Sequence, residues 1–127
     1  MARRPGEGTM PSGSAAANAR TDLIERLRAA LADQPTLREV SMFGGRAFMV
    51  NDKMVACVRK QGDLLVRVAA DRHEELLRES GATWAEMKPD RRMAAGWLSI
   101  TATTLTDDDA LSFWLTAALT HNRTVTE

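Results

Sequence analysis

The sequence has little cysteine and little histidine. Its one cysteine, Cys57, cannot form an intrachain disulfide, and it fits a reducing compartment such as the cytosol. A metal centre needs several cysteine, histidine or carboxylate ligands at suitable spacing, and the two histidines lie far apart in the sequence. The sequence therefore predicts no metal site, and we expect no cofactor.

An excess of charge of one sign and long apolar runs are also missing. The 17 Lys and Arg residues balance the 17 Asp and Glu residues, and a neutral chain does not favour nucleic acid as a partner. No stretch approaches the roughly 18 apolar residues that span a bilayer. Arg3 and Arg4 are not followed by the apolar segment of a secretory signal. We therefore expect a cytoplasmic protein with no membrane partner.

The composition that is present is globular, with 44% hydrophobic and 27% charged residues in a chain of 127. This length fits one domain of ordinary size. Residues 1–20 are rich in Gly, Pro, Ser, Ala and Arg, show no hydrophobic periodicity, and are predicted to form a disordered tail. The domain itself is predicted over residues 21–123.

Three helices are predicted from their apolar periodicity and acidic starts. The first begins at Asp22 and ends before Pro35, and the second spans residues 71–80. Each of these two starts places Asp three residues before Glu, an acidic form of the capping box. The third begins at Thr106 as its cap, with the acidic residues 107–109 in its first turn, where carboxylates suit the helix dipole better than they would a bound cation.

Strand-prone runs separated by short polar turns fill the rest of the chain. Short hairpin turns imply antiparallel pairing. The sequence therefore predicts an α+β fold: an antiparallel sheet of about five to six strands, helices packed mainly on one face, and the order α-β-β-β-(β)-α-β-β-α. The predicted strands are residues 40–50 with a bend at Gly44-Gly45, then 54–58, 64–68, 84–87 and 96–100.

The strand-prone runs also carry a family likeness, in the segments Met42-Phe43-Gly44-Gly45, Ala47–Val50, Lys53-Met54, Leu64–Val68 and Gly96-Trp97-Leu98, with Trp114 in the last helix. With these segments in this order, the stretch from about Leu37 to Asn122 resembles the N-terminal domain of the TfoX/Sxy family. The family motif residues, to which we assign a structural role, are Met42, Phe43, Gly44, Gly45, Gly96 and Trp97.

The resemblance implies a compact α+β domain of the bacterial cytosol. In larger members a second domain follows, and the whole protein promotes expression of competence genes as a coactivator with a cyclic-AMP receptor protein. This sequence ends at Glu127, directly after the last predicted helix. We therefore expect a single-domain member that lacks the second domain.

Candidate catalytic and phosphate-binding features each have a structural interpretation that we favour. Gly44-Gly45 is followed by more strand rather than by a helix, which favours a bend over a phosphate loop. Cys57 lies in an apolar strand and is more simply a core residue than a nucleophile. His73 is predicted on the surface, and His121 is explained by the dipole at a helix end. We assign no catalytic residue.

The candidate partner-binding residues combine aromatic and basic side chains, which protein interfaces favour. They are Trp84, Arg46, Arg67, Arg91 and Arg92. We expect a non-enzymatic bacterial regulatory or adaptor domain that binds a protein partner, in transcription control of the competence type. The sequence does not indicate an oligomeric state.

An alternative function uses the two basic turns at Arg59-Lys60 and Arg91-Arg92. If these turns lie at one end of the sheet, they would form a basic patch for nucleic acid. The zero net charge and the acidic residues nearby favour two ordinary polar turns instead. An enzymatic or small-ligand role would require a deep apolar pocket with convergent polar groups.

Overall fold

The computed structural model describes residues 12–42, 44–88 and 90–126. Within these residues three α-helices and eight β-strands follow one another, with a 3-10 turn at Ala70–Arg72 and another at Thr104–Thr106. The elements are α1 (Ser12–Ala30), β1 (Arg38–Met42), β2 (Gly45–Val50), β3 (Lys53–Val58), β4 (Leu64–Arg67), α2 (His73–Leu77), β5 (Ala82–Trp84), β6 (Glu86–Lys88), β7 (Arg91–Arg92), β8 (Trp97–Ile100) and α3 (Asp108–Thr126).

The main sheet has six strands in the order β1-β2-β3-β4-β8-β5. Every neighbouring pair is antiparallel. Short loops impose this pairing on β1 to β4, whereas β8 inserts between β4 and β5 after the chain has passed through α2, β5 and the arm. Strands β6 and β7 pair with each other in a separate two-stranded sheet, which we call the arm. The predicted α+β class and antiparallel sheet are confirmed, and the observed order matches the predicted one apart from the arm.

The glycine pair lies where the chain reverses between β1 and β2. Met42 pairs with Gly45, so only residues 43–44 join the two strands, and Gly44 has a φ of +78°. The predicted bend is therefore a hairpin turn, while the register shift of this strand lies between Phe48 and Met49. Phe43 itself lies outside the described residues.

The next turn is set by its residue types. Val50 pairs with Lys53, and the two residues between them have left-handed backbone angles, with φ of 54° at Asn51 and 64° at Asp52. Two consecutive left-handed residues define the hairpin turn that matches the twist of the strands. The short hairpin turn that the sequence predicts between the strand-prone runs 40–50 and 54–58, at Asn51-Asp52-Lys53, is confirmed.

The first helix starts earlier than predicted. It begins at Ser12, so Asp22 lies within the helix and does not cap it. Residues 12–20, assigned from composition to a disordered tail, include three consecutive alanines of high helix propensity and belong to α1. The guanidinium of Arg20 donates to the carbonyl oxygens of Gly44 at 2.7 Å and Arg59 at 3.3 Å, which ties this part of α1 to the sheet. Residues 1–11 lie outside the described residues, so the domain limit stays a prediction.

The other two helix starts also differ from the capping predictions. The 3-10 turn at Ala70–Arg72 contains Asp71, and no side-chain hydrogen bond caps this turn or α2 at its start. Helix α2 ends at Leu77, earlier than the predicted end at about Ser80. The cap of α3 is Asp107, whose carboxylate accepts the N–H of Asp109 at 3.1 Å, whereas the hydroxyl of Thr106 donates to a carbonyl in the preceding turn.

The main core lies on one face of the sheet. Phe48, Ala56, Val66 and Leu98 occupy neighbouring positions in adjacent strands, so they share that face. Apolar residues of all three helices pack against them, including the fully buried Trp114 of α3. The prediction that helices pack mainly on one face is therefore confirmed.

A smaller cluster lies on the opposite face. Ala47, Cys57 and Leu65 are register partners there, and Ala85, which precedes the arm, packs on them. Among the described residues, no helical side chain belongs to this cluster. The half-buried residues that surround it are mostly methionines, which leaves this face with an adaptable apolar rim: Met42, Met49, Met54, Met93 and Trp97.

Candidate functional site

The base of the arm is built around Trp84. Its indole N–H donates to the carbonyl oxygen of Met93 at 2.8 Å. On the ring, the guanidinium carbon of Arg92 lies 4.7 Å from the centroid, and the imidazole of His73 packs edge-on with its centroid at 4.2 Å. Side chains of β5, β7 and α2 therefore meet in one stack, which fixes the arm against the sheet edge.

His73 is buried, with 3% of its surface exposed, so its predicted surface position is wrong. Its Nδ1 atom accepts a hydrogen bond from the N–H of Gly96 at 2.8 Å, which requires an unprotonated Nδ1. The short helix α2 turns this side chain toward β5 and β8 rather than toward solvent. The partner lies 23 residues away in the sequence, and no local pattern predicts such a contact.

The tip of the arm is exposed and basic. Met87 is 68% exposed, the largest exposure among the large hydrophobic residues that the structure describes. Lys88 and Arg91 are exposed and are register partners, so two like charges lie directly opposite each other. Such a pair is unfavourable within a hairpin. Neither residue forms a salt bridge with any described residue, so no direct ion pair in the described part of the chain offsets this repulsion.

Arg59 connects the β3–β4 turn to the arm. Its Nη1 donates to the carbonyl oxygen of Glu86 at 3.0 Å, and its Nε and Nη2 donate to Oδ2 of Asp63 at 2.9 Å and 2.7 Å. The hydroxyl of Ser99 donates to the same oxygen of Asp63. The β3–β4 turn thus contacts the base of the arm, where Glu86 pairs with Arg92, and Arg91–Arg92 form the strand β7 rather than the predicted turn. The guanidinium of Arg59 is already engaged, which leaves Lys60 as the exposed cation of its turn.

The remaining candidate residues have partners of their own. Arg46 lies 3.5 Å from Glu39, whose carboxylate also binds Arg28 at 2.7 Å. The Arg28 hydrogen bond lowers the pKa of Glu39. The guanidinium carbon of Arg67 lies 5.3 Å from the ring centroid of Trp97. Of the five predicted partner-binding residues, the structure therefore brings Trp84 and Arg92 into contact and places Arg91 next to them on the arm. Arg46 and Arg67 lie elsewhere, each with its own neighbours.

The motif glycines lie where backbones approach closely. A Cβ atom at Gly45 would lie 2.6 Å from the carbonyl oxygen of Val58, and one at Gly96 would lie 2.7 Å from that of Val68. Gly96 also has a φ of +100°, which favours glycine. Both positions leave no room for a side chain, as the structural interpretation of the motif requires.

The titratable candidates are structural in character. Cys57 is buried, and this burial raises the pKa of its thiol, which opposes formation of a nucleophilic thiolate. His121 lies inside α3 rather than at its end, and burial, followed by the charge of Arg67, lowers its pKa. A lowered pKa disfavours the charged imidazolium, so the predicted favourable interaction between a positive His121 and the end of the helix is weakened. Among the described residues, no group of three or more His, Cys, Asp or Glu side chains could hold a metal ion.

The structure is a small α+β domain. Helices cover one face of its antiparallel sheet, and the arm, with its exposed basic side chains, lies beside the other face. The TfoX N-terminal domain family matches residues 29–122, from the end of α1 into α3, and the chain belongs to this family. A comparison with curated proteins and one with solved structures each find no match. In the described part of the chain, no helix is both long and apolar enough to cross a membrane.

Proposed function

We propose that this domain is a non-enzymatic regulatory adaptor of the bacterial cytoplasm that binds an acidic surface of a protein partner through its arm, in transcription control of the competence type. Membership in the TfoX N-terminal domain family supports a regulatory role. The observation that carries the proposal is the exposed pair Lys88 and Arg91, which face each other across the arm with no acidic partner among the described residues.

The arm combines this charge with an apolar contact. Met87 is the central residue of β6, next to Lys88, and its side chain is largely exposed. Methionine and arginine are enriched in protein interfaces, so Met87 and Arg91 are suitable residue types for a contact with a partner. A partner carboxylate placed between Lys88 and Arg91 would relieve their repulsion, while Met87 would bury its side chain.

The arm is also held in one position before any partner binds. Trp84 is packed between His73 and Arg92, and Arg59 binds the backbone of Glu86. A preformed surface loses less conformational entropy on binding than a flexible one. The fixed base and the charged tip thus have separate roles, so substitutions at the tip test binding without disturbing the fold.

Affinity capture from the native cell tests this proposal with a matched pair of variants. Lys88→Glu reverses a charge on the arm, and Lys53→Glu makes the same change at the exposed first residue of β3. We expect a protein that wild type and Lys53→Glu retain and Lys88→Glu loses, with all three folded by circular dichroism. Equal retention of every captured protein by the two variants would contradict binding through the arm.

Nucleic-acid binding stays a second candidate, because the Arg59–Glu86 hydrogen bond joins the β3–β4 turn to the arm strand that pairs with Arg92. Its exposed cations would be Lys60, Lys88, Arg91 and Arg92. Fluorescence anisotropy with duplex DNA across salt concentrations separates the two functions, because several phosphate contacts make affinity fall steeply with salt. No binding at low salt would remove this candidate and leave the protein partner.

A further inference from the structure

The sheet face opposite to the main core has an apolar strip against which no side chain of a described helix packs. Met42 of β1, Met49 of β2 and Met54 of β3 are half-buried there, and each packs against the smaller cluster. We call these three residues the methionine strip. Three adjacent strands at their usual spacing make the strip about 10 Å wide, which is close to the diameter of one α-helix.

The arm borders this strip. Ala85, which precedes the arm, packs in the smaller cluster, and Met93, which follows the arm, is half-buried at the rim of that cluster. Arg59, which directly follows β3, donates to the carbonyl oxygen of Glu86 in the arm at 3.0 Å, so the arm is fixed beside the end of β3. The strip and the arm therefore form one continuous surface.

Cations lie along the border between the strip and the arm. A Cβ atom at Gly44 would lie 3.3 Å from Cδ of Lys60, so the stem of Lys60 lies beside the β1–β2 turn that directly follows Met42. Lys60, Lys88 and Arg91 form no salt bridge with any described residue. These three cations are therefore not neutralised by a direct ion pair in the described part of the chain.

The acidic residues of this region do not cancel the positive charge. Residues 59–63 and 86–92, which form the β3–β4 turn and the arm, include five Lys and Arg residues against three Asp and Glu residues. Asp63 of the turn is already bonded to Arg59 at 2.7 Å. The surface beside the strip thus has an excess of positive charge, which an acidic partner complements.

We propose that the methionine strip binds an acidic amphipathic α-helix of the protein partner, with its apolar side on the strip and its carboxylates toward Lys60 and the arm. This inference rests on the proposed function, since it names the element of the partner that the domain recognises. Methionine side chains adapt to differently shaped apolar surfaces, which suits a strip that receives a helix.

A helix fits this surface better than an extended segment does. The backbone groups of β2 and β3 are paired with those of neighbouring strands, so the face of the sheet offers side chains and no free backbone. An extended segment buried on this face would leave its own N–H and C=O groups unpaired, which is costly. A helix pairs its backbone groups internally and buries only side chains.

The charge disfavours the occupants that this chain itself could supply. A second copy would bring the same excess of cations to the contact, and the two copies would repel each other there. Residues 1–11 include Arg3 and Arg4 but only one acidic residue, Glu7, so their charge has the wrong sign. The acidic helix therefore belongs to another protein.

Isothermal titration of the full chain with synthetic peptides of about 18 residues tests the proposal, because a helix of that length exceeds the length of the strands. The acidic peptide has leucines at i, i+3, i+4 and i+7 with alanines and glutamates elsewhere. A basic peptide has lysine in place of each glutamate, and a scrambled acidic peptide keeps the composition without the spacing. We expect the acidic peptide to bind with a dissociation constant of about 1–100 µM, and the other two at least about tenfold more weakly.

Variants of the strip locate the binding. The double variant Met49→Gln/Met54→Gln keeps the side-chain length but makes the strip polar, and should weaken binding of the acidic peptide at least about tenfold. Met49→Leu/Met54→Leu keeps the strip apolar and should bind within about threefold of wild type. Phe113→Gln, at an exposed position of α3 on the helical side of the sheet, is the matched control and should bind like wild type. Circular dichroism and thermal melting check that each variant is folded.

Four results would overturn the proposal. Wild type does not bind the acidic peptide, or it binds the basic or scrambled peptide equally well, or a folded Met49→Gln/Met54→Gln variant binds like wild type. The fourth is binding to phosphatidylglycerol vesicles in place of the acidic peptide, which would assign the strip to a membrane surface.

Affinity capture distinguishes a failure of this inference from a failure of the proposed function. A captured protein that Met49→Gln/Met54→Gln loses and Lys88→Glu keeps would contradict binding through the arm and support the strip. A protein that Lys88→Glu loses and the folded strip variant keeps would support the arm and overturn the strip.

Discussion

The N–H of Gly96 donates a hydrogen bond to Nδ1 of His73 at 2.8 Å, and the same imidazole packs edge-on against Trp84. One buried side chain thus connects α2, the turn before β8 and the base of the arm. The arm depends on this connection for its position, because Trp84 in turn holds Arg92 and the carbonyl of Met93.

Replacing His73 with alanine should therefore destabilise the domain. The change removes the acceptor of the buried Gly96 N–H and opens a cavity beside Trp84. We expect the free energy of unfolding in urea to fall by about 2–4 kcal/mol. Glu74→Ala, at the next and exposed position, should change it by less than about 0.5 kcal/mol. Equal small effects of both variants would show that the hydrogen bond is dispensable.

Gly45 should tolerate alanine less well than Gly62. A Cβ atom at Gly45 meets a backbone carbonyl at 2.6 Å, which cannot move aside without shifting β3, and we expect a loss of about 1–3 kcal/mol. Gly62 has a φ of +102° but no atom within 4 Å of a Cβ, so only backbone strain of about 1–2 kcal/mol applies. Thermal melting compares the two. A smaller loss at Gly45 would contradict the close approach as the reason for this glycine.

Stability should depend on pH through His121. Because its pKa is lowered in the folded state, the unfolded chain binds more protons as the pH falls through the ordinary histidine value of about 6.5. The free energy of unfolding should therefore be highest above that value and decrease as the pH falls below it. Urea titrations between about pH 5.5 and 8 measure this decrease, in a range where Glu39, with its lowered pKa, stays ionised. His121→Leu should make the decrease smaller, and an unchanged slope would contradict the assignment.

Lys88→Glu should preserve or raise stability. It converts the like-charge pair with Arg91 into an opposite-charge pair, which we expect to add about 0.2–1 kcal/mol to the free energy of unfolding. If Lys88 instead stabilised the fold, its replacement would destabilise the arm and lower the free energy of unfolding. Urea denaturation at low salt gives the answer. A loss of more than about 1 kcal/mol would show that Lys88 has a structural role.

The turns of the main sheet could be predicted because their causes are local. Asn51 and Asp52 tolerate left-handed backbone angles, and Gly44 marks the tight reversal before β2. Short loops then impose antiparallel pairing on the strands that they join. The helix starts were predicted less well. An Asp–Glu spacing caps a helix only where the preceding backbone is not helical, and Asp22 lies well inside α1.

The candidate site was harder to predict because its contacts are distant in sequence. The residue types of Trp84 and Arg92 indicated a binding surface, but the burial of His73 depends on Gly96, 23 residues away. The position of the arm depends on Arg59, 27 residues from its acceptor Glu86. Composition and periodicity carry no information on such contacts, so a sequence reading places Arg59 in a free basic turn and His73 on the surface.

Isothermal titration of the purified captured partner against wild type, Lys88→Glu and Lys53→Glu tests the central proposal most directly. If the arm binds an acidic surface, Lys88→Glu should weaken the affinity at least about tenfold, a loss of about 1.4 kcal/mol, while remaining at least as stable as wild type. Lys53→Glu should change the affinity less than about twofold. Lys53 begins β3, whereas Arg59, which contacts the arm, directly follows the opposite end of that strand. Equal affinities for Lys88→Glu and wild type would contradict the assignment of the arm as the binding surface.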